Sequence, residues 1–97
     1  MSTHIHKHQW VYVVIQDPTG NPQYLGQHDD ETGISFIPVF TEKEDALMCL
    51  NLMSRDKRKS HEVQAVMYED LIEHAAAAGF QLYLLNRDAE VLKKIVP

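Results

Sequence analysis

The segment from Gly33 to Leu47 constrains the fold most, because its residue pattern changes from strand spacing to helix spacing. As far as Phe40, apolar residues alternate with small or polar ones, which is typical of a β-strand. Thr41 and Glu44 then form a Thr-x-x-Glu capping box. In such a box the hydroxyl accepts a hydrogen bond from the Glu44 amide, and the carboxylate accepts one from the Thr41 amide. The sequence therefore predicts a strand that leads directly into a capped helix.

Other stretches show equally simple patterns. The segment from Trp10 to Ile15 is aromatic and β-branched throughout, so it is predicted to be a strand in the middle of a sheet. Pro38 removes a backbone donor from its strand, which favours a sheet edge or a bulge at that point. Shorter strands are predicted over residues 23–27, 34–40, 63–67 and 82–85.

Two helices are predicted, and the sequence indicates where each of them begins and ends. The first should run from about Glu42 to Arg55, with basic residues at its end that suit the helix dipole. The second should begin near Glu69 and end at Gly79, because glycine readily takes the left-handed conformation that stops a helix. Near-helical spacing over residues 89–96 predicts a short terminal helix.

The resulting order is β-β-β-α-β-α-β with a possible short C-terminal helix. Hairpins followed by crossover helices favour an α+β two-layer sandwich, with both main helices on one face of the sheet. Ninety-seven residues with 44% hydrophobic side chains suffice for one domain over residues 1–97. The first nine residues are polar and are predicted to form a flexible segment.

The run from Ile34 to Leu47, Ile-Ser-Phe-Ile-Pro-Val-Phe-Thr-Glu-Lys-Glu-Asp-Ala-Leu, resembles a segment of the SseB-type N-terminal domain. In that family Pro-Val-Phe-Thr is followed by a small residue, then by an acidic residue and an alanine, each two positions after the last. The resemblance extends in order of elements over about residues 11–85. It implies a small bacterial α+β module without an established catalytic site, and it supplies no functional residue.

The composition limits the location and the stabilising chemistry. Cys49 is the single cysteine, so no internal disulfide can form and burial must stabilise the fold. The start of the chain lacks the basic and apolar regions of a signal peptide, and no apolar run approaches the ~20 residues needed to span a bilayer. A cytoplasmic protein that does not enter membranes is expected.

Charge is unevenly distributed along the chain. The formal net charge of -5 argues against nucleic acid as a partner. Acidic residues gather at Asp29-Asp30-Glu31, whereas four of the nine cationic residues lie within five positions at Arg55, Lys57, Arg58 and Lys59. This basic segment is a candidate site for an anion or an acidic partner surface. The alternative is a solvated helix end, and the acidic loop also allows contact between two copies of the chain.

Three histidines at alternate positions, His4, His6 and His8, are the candidate metal site. On an extended segment they would point to one side, where three imidazoles could bind Zn, Ni or Cu. The alternative is a solvated terminus with no metal.

Other reactive residues have simpler explanations as well. His28 beside Asp29 and Asp30 could act as an acid–base or metal cluster, but such sequences often form hydrated turns. Cys49 lies within an apolar helical pattern, so a buried thiol is preferred over a nucleophile. His74 is predicted to be exposed on the second helix.

Catalytic and phosphate-binding motifs are absent from the sequence, and no cofactor is expected. The favoured function is a non-enzymatic protein-interaction or regulatory module that acts as a homodimer in the cytoplasm. An uncovered sheet face carrying Trp10, Tyr12 and Tyr24 could supply the contact. A small metal- or ligand-binding protein that uses the N-terminal histidines is the alternative. An enzyme would require His28, His61 and His74 to converge on a cleft near the acidic loop.

Overall fold

The computed structural model describes residues 5–97, and the α+β fold predicted from the sequence is confirmed. Across these residues the chain forms seven strands, two α-helices and one 3₁₀ turn. In chain order the elements are β1 (Trp10–Gln16), β2 (Gln23–Tyr24), β3 (Gln27–Asp29), β4 (Ile34–Val39), α1 (Lys43–Cys49), the 3₁₀ turn (Leu50–Leu52), β5 (His61–Met67), α2 (Tyr68–Ala78), β6 (Gln81–Leu85) and β7 (Val91–Ile95).

The strands form two sheets that meet at one bridge. The first sheet has the order β2-β1-β5, so β1 lies in the middle as its composition predicts. The second has the order β3-β4-β6-β7, in which β4 and β6 are parallel and the other pairs are antiparallel. Backbone groups of Tyr12 and Phe40 exchange hydrogen bonds of 2.8 and 2.9 Å, which joins β1 to the end of β4.

Two apolar clusters occupy opposite faces of the strands. The first core cluster contains Leu71 and Ala75 of α2, and the second contains Ala46 and Cys49 of α1. Successive side chains of a strand point to opposite faces. Accordingly, alternate residues of β1, β4 and β6 enter the first cluster, namely Val11, Val13, Ile15, Ile37, Val39, Leu82 and Leu84. The intervening residues Val14, Tyr83 and Leu85 enter the second, so the prediction that both helices pack on one face is wrong.

The first helix begins later and ends earlier than its sequence pattern predicts. Glu42 is the N-cap in extended backbone conformation, and no side chain caps the helix. Thr41 therefore lies one position too early for the capping box with Glu44. After Cys49 the chain tightens into the 3₁₀ turn and becomes extended at Met53, instead of continuing to Arg55. The basic residues consequently lie in a loop and not at the helix end.

The second helix ends as predicted. Gly79 has φ 78°, in the left-handed region. Its amide donates to the carbonyl of Ala76, and the amide of Phe80 donates to the carbonyl of Ala75 at 2.9 Å. These two bonds form a Schellman motif, which satisfies carbonyls that the end of a helix leaves free. Phe80 packs against the first core cluster, so this stop also fixes the start of β6.

The predicted terminal helix over residues 89–96 is wrong, because this segment forms strand β7. Ala89 has φ 63°, and the side chain of Asn86 accepts hydrogen bonds from the amides of Asp88 and Glu90. This tight turn directs the chain back along β6, where Lys94 pairs with Tyr83. Backbone pairing with β6 and the β-branched residues Val91 and Ile95 outweigh the near-helical spacing.

Pro38 lies in the inner strand β4, yet no hydrogen bond between strands is lost at its position. Two residues later, the amide of Phe40 points towards β1. The backbone nitrogen of Pro38 therefore points to the same side. On that side β3 pairs only as far as Phe36, so the proline fills a gap between β3 and the bridge at Tyr12.

Part of the N-terminal segment contacts the domain. Ile5 is 8% exposed and belongs to the first core cluster. The carbonyls of Lys7 and Gln9 accept hydrogen bonds from the amides of Glu69 and Tyr68. Residues 5–9 are thus held against the start of α2. Within residues 5–97, neither helix has the length and apolar character needed to cross a membrane.

Candidate functional site

An open cleft of about 520 Å³ lies on the face of the second sheet that α1 only partly covers. Its floor consists of Phe36 and Pro38 of β4 and Tyr83 and Leu85 of β6. Helix α1 has seven residues and so is only about 10 Å long. Its buried residues Ala46 and Cys49 pack in the second core cluster, and the 3₁₀ turn that follows forms one wall of the cleft. Within this floor Pro38, Tyr83 and Leu85 are buried and Phe36 is half-buried, so the exposed apolar atoms of the cleft lie mainly along its rim.

Two aromatic rings of the floor are stacked on each other. The ring centroids of Phe36 and Tyr83 are 4.0 Å apart, and the ring planes differ by 9°. The ammonium of Lys94 lies 5.1 Å from the centroid of the Tyr83 ring. A cation over an aromatic face is attracted to its electron-rich surface, which holds the lysine stem across the cleft.

Asp29, at the end of β3, is the polar centre of the cleft. The Tyr83 hydroxyl donates to Oδ2 at 3.0 Å, and the Glu31 amide donates to Oδ1 at 3.1 Å. The ammonium of Lys94 lies 3.7 Å from Oδ2. The bond from Tyr83 is the main reason that the pKa of Asp29 is lowered, with smaller contributions from the Glu31 amide and Lys94. Because each of these contacts favours the charged form, Asp29 is a carboxylate at neutral pH.

Apolar side chains continue the cleft onto the outer surface. Leu52 of the 3₁₀ turn is 62% exposed, and Val91 of β7 is 46% exposed; both line the cleft. Met48 of α1 is also exposed but does not line the cleft. Leu52 and Val91 thus form the apolar rim of the cleft. We call the floor and rim together the cleft face.

The acidic loop, Asp29 to Glu31, forms one end of the cleft. The amide of Gly33 donates to the carbonyl of Asp29 at 2.8 Å, so the loop is a tight turn. The Asp30 side chain is 98% exposed, and its carboxylate lies 3.9 Å from Nε2 of His28. The turn thus presents carboxylates to solvent beside an apolar cleft.

The basic segment, Arg55 to Lys59, begins at the other end of β3. The side chain of Gln27 donates to the carbonyl of Ser54 at 2.6 Å and accepts from its amide at 2.9 Å. Asp56 accepts hydrogen bonds from the amide and guanidinium of Arg58, and the guanidinium bond is the main cause of its lowered pKa. Gln27 therefore fixes the position at which the basic segment leaves the 3₁₀ turn.

Comparison with known proteins gives no relative. No family model, curated protein or solved structure matches this chain. The resemblance to the SseB-type domain stays a prediction.

The N-terminal histidines stay a predicted metal site. His4 lies outside the described residues. His6 and His8 are exposed, and Nδ1 of His8 lies 3.5 Å from a carboxylate oxygen of Glu69. Among residues 5–97, no group of three or more His, Cys, Asp or Glu side chains is arranged to hold a metal ion.

The other candidate histidines lie on separate elements. Of the three proposed for an enzyme, His28 is the one that lines the cleft within the described chain. His61 begins β5 opposite Gln16, and His74 on α2 contacts the ring of Tyr24 at 4.6 Å between centroids. Cys49 is buried, and burial raises the pKa of its thiol, as expected for a residue of the core.

The aromatic residues Trp10, Tyr12 and Tyr24 do not form one surface. Trp10 and Tyr12 share one side of β1, with Met67 and Ala65 opposite them on β5. Tyr24 pairs with Ile15 and packs against the first core cluster, on the other side. Trp10 is 58% exposed, so a second and smaller apolar surface remains at the end of β1.

Sequence reasoning missed the contacts that Tyr83 and Lys94 make with Asp29. The three residues are far apart in the chain, and Lys94 lies where a helix was predicted. Recognising β7 as a strand would have placed Lys94 beside Tyr83, because the two residues pair directly in the sheet. The hydrogen bond to Asp29 needs the full topology and has no signal in the local sequence.

Proposed function

We propose that this chain is a non-enzymatic protein-interaction module, and that it pairs with a second copy of itself through the cleft face. The observation that carries the proposal is the pair of exposed apolar side chains, Leu52 and Val91, that line the cleft beside the 3₁₀ turn. Exposed apolar side chains along a concave surface are characteristic of binding sites. The proposed location is the cytoplasm, which the single buried thiol supports.

The polar groups of the cleft favour binding over chemistry. The Tyr83 hydroxyl donates to Asp29, and both oxygens of Asp29 accept hydrogen bonds from the protein itself. A nucleophile or general base needs a partner that prepares it to react with a substrate. Here the Tyr83 hydroxyl and the Asp29 carboxylate bind each other, so neither is paired with a group that would activate it.

A second copy is a suitable occupant because charged segments of both signs flank β3 beside the cleft face. The acidic loop lies at one end of β3 and the basic segment at the other. A protein surface of about 800 Å² per partner is typical of a stable pair. The formal net charge of -5 favours a protein partner over nucleic acid.

The substitution Leu52→Gln tests this proposal without changing charge. Full burial of a leucine contributes about 1.5–3 kcal/mol, and a symmetric pair would bury two copies of Leu52. We therefore expect the dissociation constant of the dimer to rise at least tenfold. Sedimentation equilibrium over a concentration series measures it.

Leu47→Gln is the matched control, since Leu47 is 48% exposed on α1 and does not line the cleft. This control should leave the dissociation constant unchanged. Equal effects of the two substitutions, or a wild-type protein that stays monomeric at all concentrations, would contradict pairing through the cleft face.

A further inference from the structure

We propose that the acidic loop of one copy docks on the basic segment of the other, twice in a symmetric dimer. This inference rests on the proposed function, because it assumes that two copies meet at the cleft face. It adds the contacts that select the partner and set its orientation.

The acidic loop lines one end of the cleft, and the basic segment follows Ser54 outside the lining of the cleft. Strand β3 links them: Gln27 holds Ser54, next to the basic segment, and Asp29 begins the acidic loop. Two residues of a β-strand span about 7 Å. Hydrogen bonds to Asp29 fix the acidic loop, and the bonds between Asp56 and Arg58 fix the basic segment. Both charged surfaces are therefore ordered before a partner arrives.

The charges on these segments are available to another molecule. Asp30 and Glu31 are exposed, as are Lys57 and Lys59. Among the described residues, neither lysine forms a salt bridge, and the contact of Asp30 is with His28. The acidic loop and the basic segment do not pair with each other within one chain. The acidic loop of one chain can therefore bind the basic segment of an identical chain.

Two-fold symmetry turns this arrangement into two identical contacts. In an isologous pair, a residue i that meets residue j of the partner is matched by residue j meeting residue i. One patch that carries both signs of charge is self-complementary under this operation. The formal net charge of -5 makes two copies repel at long range, so the basic segment supplies the local attraction that a second acidic chain needs.

Exposed charge pairs contribute little affinity each, but they choose the partner and suppress wrong orientations. A charge reversal is a sharper test than a deletion, because it replaces attraction by repulsion at both symmetric contacts. The loop variant carries Asp30→Lys and Glu31→Lys. The segment variant carries Lys57→Glu and Lys59→Glu.

Each variant alone should dimerise at least tenfold more weakly than the wild type, because both of its contacts become repulsive. An equimolar mixture of the two should form a heterodimer within about threefold of the wild-type dissociation constant, since each reversed segment then meets its complement. A single chain with all four reversals should again form a homodimer. Sedimentation equilibrium at about 0.15 M salt measures all of these species.

The control for the loop variant carries Asp70→Lys and Glu73→Lys, which change the net charge by the same amount as the loop variant does, on exposed positions of α2. Helix α2 lies on the opposite face of the sheet, so this variant should dimerise at least as well as the wild type. Circular dichroism spectra show whether each variant is folded.

The outcomes separate the two proposals. If Leu52→Gln weakens the dimer while the reversed variants and their mixture behave like the wild type, the charge inference is wrong and the proposed function stands. A mixture that associates no better than its components also overturns the charge inference. A monomeric wild type contradicts both proposals.

Discussion

Asp29 keeps its charge within the cleft because both of its oxygens accept hydrogen bonds from the protein. The Tyr83 hydroxyl is the main cause of the lowered pKa. A carboxyl whose pKa is lowered on folding stabilises the fold above its unfolded pKa of about 3.9. This stabilisation is lost as the pH falls through the lower pKa of the folded state. The contacts of Asp29 thus contribute to stability at neutral pH and fail in acid.

The substitution Tyr83→Phe isolates the hydroxyl, because it preserves the ring that stacks on Phe36. We expect the pKa of Asp29 to rise towards its ordinary value, and the fall in the free energy of unfolding as the pH drops below that ordinary value to become smaller. An NMR titration of the carboxyl carbon gives the pKa, and urea unfolding at each pH gives the free energy. Tyr12→Phe is the control, and it should leave the titration of Asp29 unchanged.

At the scale of residues, the sequence predicted whether a side chain is buried or exposed better than it predicted which side chains are in contact. It indicated that Cys49 is buried and that the acidic and basic segments are exposed, because these outcomes follow from local composition. It could not pair Asp29 with Tyr83, since that hydrogen bond joins residues separated by most of the chain. It also grouped Tyr24 with Trp10, although strand pairing places them on opposite sides.

The elements whose ends depend on backbone conformation were well predicted. Gly79 ends α2 in the left-handed region, where an added Cβ would meet no other atom within 4 Å. Glycine is therefore favoured at this position because of the left-handed backbone conformation, and not because a side chain would lack space. Strand β1 and the change from strand to helix after Phe40 were also correctly predicted, because composition and spacing agree there.

Gly79→Ala should lower the free energy of unfolding by about 1 kcal/mol, the cost of a side chain in the left-handed region. Gly79→Asn should cost less, because asparagine tolerates that conformation better. Urea denaturation of both variants measures the difference. Equal losses for the two substitutions would contradict a cost that arises from the backbone.

Elements whose ends depend on distant contacts were predicted less well. The apolar spacing after Cys49 favoured a longer helix, but Gln27 of β3 binds Ser54 and the chain leaves the helix. The spacing after Ala89 was equally compatible with a helix and a strand. Pairing with β6 makes this segment a strand, and that pairing cannot be predicted from the sequence of the segment alone.

At the scale of the whole molecule, the two helices lie on opposite faces of the strands, and this arrangement creates the cleft. Helix α2 packs on the first core cluster, while the shorter α1 leaves part of the other face open. The sequence predicted the α+β class. It could not place the cleft, because helix length and strand order had to be known together.

The most direct measurement of the proposed pairing is a dilution series of amide NMR spectra of the wild-type protein. If two copies meet at the cleft face, shifts that depend on concentration will concentrate at residues 29–31, 52–59 and 91–94. The amides of α2 should stay constant. Spectra that do not change with concentration, or changes confined to the smaller apolar surface around Trp10 and Met67, would contradict pairing through the cleft face.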